Sequence, residues 1–331
     1  PPRVWGLFGA VWPRCLHGSH GGNAARCGGK QKELRPSNLK ETPTMNFFTK
    51  DRREPEAVAR VVEFSDEKND DFATQRKADA VDGRYRYSHG VAWHLSSFVL
   101  YRLIATPVAY CYCRARFRVK IRGKKNLRGL RGGYFLYGNH TQGAADAFIP
   151  SLITFPRRCD IVCGRETVSI PVIKYIVPMV GCIPLGSTVG GCLNFAEALG
   201  DSIDAGHAVT IYPEAHIWPY CNFIRNYPSG SFMYPGRLDV PAVGFTVTYR
   251  QRRFLRGMHP DITVTVGKPV YPDEYATRDE LRDRIRGFMT DTVDSEGSYE
   301  YIKYKKNSFI LSSFRLIKMI NSISTSFTID I

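Results

Sequence analysis

Residues 134–148 read YFLYGNHTQGAADAF. Tyr134 to Gly138 form an apolar and aromatic run closed by a glycine, which predicts a short buried strand. A polar turn follows, and the stretch from about 145 to 154 reads as a helix. The same alternation continues downstream. DIVCG (160–164), AVTIYP (208–213), VPAVGFTVTY (240–249) and DITVTVGKPV (261–270) predict strands, and residues 170–180, 190–206 and 278–294 predict helices. The last helix opens on a capping box, Thr277 with Glu280, and carries an apolar stripe at Leu281, Ile285, Phe288 and Val293. Strands alternating with helices predict an α/β fold, a mostly parallel central sheet flanked by helices, with functional groups at the carboxyl ends of the strands.

Two of those strand ends carry chemistry. His140 follows the first strand and Asp146 lies six positions on, where the helix begins. A carboxylate that fixes the tautomer of an imidazole leaves its other nitrogen free to act as a general base. Read without a partner motif, the same two residues are a loop histidine and an acid favoured by a helix N-terminus. About 70 residues later TIYPEAHIWPY (210–220) empties a buried strand into Pro213 and Glu214, then His216. A carboxylate there needs a polar ligand, a cation or a structural partner.

Farther out, Val91 to Cys113 is the most apolar segment, broken by His94, Arg102 and Pro107 and followed by the basic RARFRVKIRGKK. A central Arg and a Pro argue against a membrane span. A membrane-interfacial helix with Trp93, Tyr101, Tyr110 and Tyr112 as anchors, or a core helix with a snorkelling Arg, both fit. Residues 65–90 are polar and read as a solvated arm. Of the net charge of +15, residues 1–44 hold +5 and read as a disordered leader or extension. Lys/Arg are scattered and no nucleic-acid module is recognisable, so an anionic membrane surface is the expected partner and nucleic acid is not. Nine cysteines without regular spacing read as free thiols in a reducing compartment. After residue 298 the chain is a basic tail with Ile310, Phe314, Ile317 and Ile320 at helical spacing.

Four ordered blocks over about residues 91–270 resemble the glycerolipid acyltransferases of the lysophosphatidate acyltransferase type. GNHTQGAAD is similar to that family's Asn-His-x4-Asp block, PVIKYIVPMVGCIPLG to its second, IYPEAHIW to its Pro-Glu-Gly-Thr-Arg block and DVPAVGF to its final Val-Pro block. The resemblance implies transfer of an acyl group from acyl-CoA or acyl carrier protein to a glycerolipid hydroxyl such as that of 1-acyl-glycerol 3-phosphate. It implies no metal, no cofactor and no covalent intermediate. It makes His140 the general base, Asp146 its orienting partner and Glu214 a ligand of the acceptor head. Thr141, Gln142 and His216 join the substrate-binding set, and main-chain N–H groups near 140–146 or at Ile183 are candidate oxyanion donors.

This chain departs from the pattern in three places. His and Asp are separated by five residues rather than four. The family's phosphate-binding Arg positions hold Ser187 and Ile217, and its Gly and Thr positions hold Ala215 and His216. Arg165, Lys174, Arg225 and Arg237 are the cations available to replace those arginines. The expected organisation is a leader (1–44), a polar arm (45–90), an interfacial helix (91–120), the acyltransferase α/β domain (121–298) and a basic tail (299–331). The expected address is peripheral, on the cytoplasmic face of a membrane. A non-catalytic lipid- or acyl-binding protein and a thioester hydrolase are the alternatives.

Overall fold

The computed structural model describes residues 60–64, 67, 79–87, 89–169, 173–253 and 259–306. The expected leader and the stripe Ile310 to Ile320 lie outside these residues. In chain order the elements are β1 (Arg60–Phe64), α1 (Val91–Val99), α2 (Thr106–Phe117), β2 (Lys120–Arg122), β3 (Tyr134–Gly138), α3 (Gly143–Thr154) and β4 (Cys159–Cys163). They continue with α4 (Ile173–Ile176), β5 (Cys182–Pro184), α5 (Val189–Asp204), β6 (Ala208–Ile211), α6 (Met233–Leu238), β7 (Ala242–Arg250), β8 (Asp261–Val270), α7 (Arg278–Glu296) and β9 (Ile302–Lys306).

Seven strands form one sheet in the order β2-β8-β7-β3-β6-β4-β5. β7, β3, β6, β4 and β5 are mutually parallel, and β8 turns back antiparallel to β7 and carries β2 with it. The α/β architecture expected from the sequence is therefore present, with two reversed strands at one edge. β3 lies in the middle and is buried throughout. Its pleat sends Leu136 to a core shared with Ile149 and Ile153 of α3, and Phe135 and Tyr137 to a second core with Leu199 of α5 and Leu281 and Ile285 of α7. Each such side chain contributes about 1.5–3 kcal/mol of burial. Gly138 ends β3 because a Cβ there would stand 2.2 Å from the Phe245 ring of the neighbouring strand.

Residues 91–117 make one helical path in which a π-turn, Leu100–Ala105, joins α1 to α2. Ser97, Tyr101, Thr106, Ala109, Cys113 and Phe117 are buried, and the single five-residue step, from 101 to 106, coincides with the π-turn. The extra residue keeps one face on the core across Pro107. The opposite face exposes Leu95, Phe98, Leu103, Ile104 and Val108. Tyr101 is not an interfacial anchor: it is 5% exposed and its hydroxyl accepts from the Cys159 N–H at 3.0 Å. Among the described residues, no helix is long and apolar enough to cross a membrane.

Three further expectations are corrected. Within the described part of 170–180 the helix ends with α4 at Ile176, because Pro178 disfavours helical geometry at Val177. Part of the supposed solvated arm is docked: Val81 is 1% exposed, its carbonyl accepts from Ser187 N–H, and Gly191 leaves room for that backbone. Cys163 and Cys182 are not free thiols but a disulfide between adjacent strands β4 and β5. The start of the tail, residues 302–306, is strand β9, parallel to β1.

Candidate active site

His140 and Glu214 both sit just past the carboxyl ends of neighbouring parallel strands, β3 and β6. The Asn139 side chain continues the sheet beyond β3, its amide bonding both the N–H and the carbonyl of Val247 on β7. His140 therefore leaves a rigid edge. Its Nδ1 lies 2.8 Å from Asp146 Oδ2, with side-chain exposures of 17% and 1%. The same oxygen accepts from the N–H groups of Thr141 (2.9 Å) and Gln142 (2.8 Å). Asp146 thus reaches back over the helix N-terminus, and the extended Thr141–Gln142 segment absorbs the additional residue between His and Asp. Burial pushes the Asp146 carboxyl above its ordinary value, while the bonds from His140, Gln142 and Thr141 pull it back.

Glu214 is placed behind this turn rather than in front of it. Its side chain is 1% exposed, Oε2 accepts from the His140 N–H at 3.0 Å, and it pairs with Arg225, itself 2% exposed, at 2.9 Å. Arg225 also donates to the His216 carbonyl and lies over the Trp218 ring at 4.8 Å. Glu214 and Arg225, both expected at a ligand head, contact each other in this structure. Thr141 and Gln142 are likewise buried, and their side chains bond the Tyr249 hydroxyl at 2.6 and 3.2 Å. His216 is exposed on the turn. Arg165, next to Glu166 at 3.8 Å, and Lys174, over Tyr175, are exposed and away from the cluster's hydrogen bonds. The oxyanion candidates also change. The N–H groups of His140, Thr141 and Gln142 are engaged, and Ile183 on β5 is three strands from β3, about 14 Å at the usual strand spacing. The first-turn N–H groups of α3, at Gly143 and Ala144, remain as donors.

Two contributors went unread in the sequence. The Tyr212 ring stacks on His140 at 4.4 Å between centroids, and its hydroxyl donates to the Asp146 carbonyl at 2.6 Å. Pro150, inside α3, removes the N–H that would have met that carbonyl four residues earlier. A proline in a predicted helix, together with a tyrosine before Pro-Glu, was the available signal. Ala215 takes a left-handed φ of 63° at the turn after Glu214, the conformation that a glycine would hold without strain.

Residues 118–247 match the family model described as Acyltransferase. No curated protein matches the chain. Among solved structures, the 1-acyl-sn-glycerophosphate (LPA) acyltransferase PlsC from Thermotoga maritima is similar, with 16% sequence identity, coverage of 63% of this chain and 88% of that chain, and a TM-score of 0.46.

Proposed function

We propose, from the match of residues 118–247 to the acyltransferase family model, that the protein moves a fatty acyl group from a thioester to the hydroxyl of a glycerolipid. The observation that supports this most directly is the His140–Asp146 pair, in which the buried carboxylate holds Nδ1 and Nε2 is left at the partly open face of the ring. Nε2 takes the proton of the acceptor hydroxyl as its oxygen attacks the thioester carbonyl. The tetrahedral oxyanion is met by the α3 N-terminal amides, the C–S bond breaks, and the departing thiolate takes the proton back from the imidazolium. Asp146 orients the ring, and the Glu214–Arg225 pair fixes the main chain of His140.

Acyl-CoA or acyl carrier protein is the donor in this reading, and 1-acyl-glycerol 3-phosphate is the acceptor type. The exposed cations Arg165 and Lys174 and the exposed His216 stand in for the arginines missing at Ser187 and Ile217. The exposed apolar row of α1 and α2 supports contact with a membrane surface. His140→Ala tests the mechanism: it lowers acyl transfer by about 10²-fold or more, with circular dichroism and vesicle binding unchanged. Retained activity refutes it. A screen of glycerol 3-phosphate, lysophosphatidate and uncharged lysolipid acceptors identifies the head group.

A further inference from the structure

A second His–Asp pair lies at the opposite edge of the sheet. Arg158 and His207 immediately precede β4 and β6, whereas His140 and Glu214 follow β3 and β6. A strand of this length separates the two edges by about 15 Å. The Asp160 side chain, 6% exposed, binds His207 Nδ1 at 2.7 Å and Arg158 Nε at 3.1 Å. With Nδ1 held, Nε2 of His207 is the ring nitrogen left for a ligand.

His207 and Arg158 line a cavity of about 570 Å³ whose wall also carries Arg86, His94, Arg102 and Arg157. Among the described residues, only Asp160 and Asp201 oppose them in that wall. Arg102 donates to the Pro156 carbonyl and lies over the Tyr101 and Phe155 rings. Arg157 donates to the Leu130 and Gly132 carbonyls and lies over Tyr134. Neither forms an ion pair with a carboxylate among the described residues, so their charges stand uncancelled at the cavity. α1 closes the cavity through Trp93 and Phe98, and Phe98 also belongs to the exposed apolar row, at 58% exposure.

We propose that this cavity binds the phosphate of a membrane glycerophospholipid, whose acyl chains lie along the apolar row of α1. Guanidinium groups beside an imidazole match a phosphate's oxygens, and the volume suits a head group. The lipid held here is separate from the acyl acceptor, because the sheet stands between it and His140. The source of the phosphate rests on the membrane-facing reading of α1; the site does not rest on acyl transfer.

The test titrates the full chain with short-chain phosphatidate, short-chain diacylglycerol and inorganic phosphate, following tryptophan fluorescence with Trp93→Phe as the blank. Phosphatidate is expected to give a saturable change that the blank lacks, His140→Ala keeps, and Arg86→Gln/Arg102→Gln weakens at least about tenfold. Binding of diacylglycerol as tight as that of phosphatidate overturns the phosphate assignment. Inorganic phosphate binding as tightly as phosphatidate overturns the lipid source. On phosphatidate-containing vesicles, the exposed control Arg128→Gln/Arg131→Gln should lose less than the cavity variant, and an equal loss overturns the site in favour of diffuse attraction. Should the cavity variant not fold, the absence of any saturable, Trp93-dependent response to phosphatidate in the unaltered protein overturns it alone. Loss of acyl transfer in His140→Ala with phosphatidate binding intact separates the two proposals.

Discussion

The Tyr212 hydroxyl donates to the Asp146 carbonyl at 2.6 Å and occupies the place that the missing N–H of Pro150 leaves open in α3. Its ring meanwhile stacks on His140. One side chain therefore ties the proposed base to the helix that carries its carboxylate.

Tyr212→Phe retains the ring and removes the donor, leaving a buried carbonyl unmatched at a cost of about 1–3 kcal/mol. Pro150→Ala restores an N–H for the same carbonyl. Chemical denaturation of both single variants and the double variant should show the tyrosine substitution costing less in the Pro150→Ala background. Additive costs would dissociate the two residues.

Glu214→Gln should cost about 3–5 kcal/mol, because it leaves the Arg225 guanidinium buried without its anion. Pairing it with Arg225→Met recovers part of that stability. In steady-state kinetics the single variant lowers kcat more than it raises KM for the acceptor, the split expected of a residue that positions His140. A rise in KM alone would return Glu214 to the role of head-group ligand.

Ala215→Gly relieves a left-handed backbone conformation that disfavours a Cβ by about 1–2 kcal/mol. Part of the gain is offset by the greater freedom of glycine in the unfolded chain. The net expectation is a small rise in Tm with activity preserved, measured by thermal unfolding.

Burial pushes the thiols of Cys113, Cys159 and Cys221 up to about 12. The thiolate fraction grows with pH, so at pH 8 only about one thiol in 10⁴ at these positions is ionised. Iodoacetamide should label the exposed Cys111 and spare these three in the folded protein, with labelling at all of them after denaturation. Cys163 and Cys182 should label only once reduced. Mass spectrometry of the digested protein reads both results.

The parallel sheet was legible because β3, β6 and β7 are buried on both faces and so appear as continuous apolar runs. β2 and β5 were missed because three residues are too few for a pattern, and β1 and β9 because their exposed Lys and Glu side chains mask the pairing. His140 and Asp146 were legible from strand, turn and helix punctuation. Glu214 was legible as an acid at a strand end, but its ion pair was not, since a sequence marks a buried acid without naming the cation that reaches it, here Arg225 eleven residues later. Tyr212 was hidden because its value depends on a proline 62 positions away. The Cys163–Cys182 bond was hidden because only the β4–β5 register brings those residues together.

β1 and β9 pair residues 60–64 with 302–306, and between them Phe64 and Tyr304 close on Trp218 at 4.8 and 5.1 Å. Trp218 in turn underlies Arg225, the partner of Glu214. All seven strands of the large sheet precede β9 in the chain, so every one of their residues has been synthesised before Tyr304 is. The backing of the turn that supports His140 therefore cannot be complete until β9 has been made, however early the sheet itself forms.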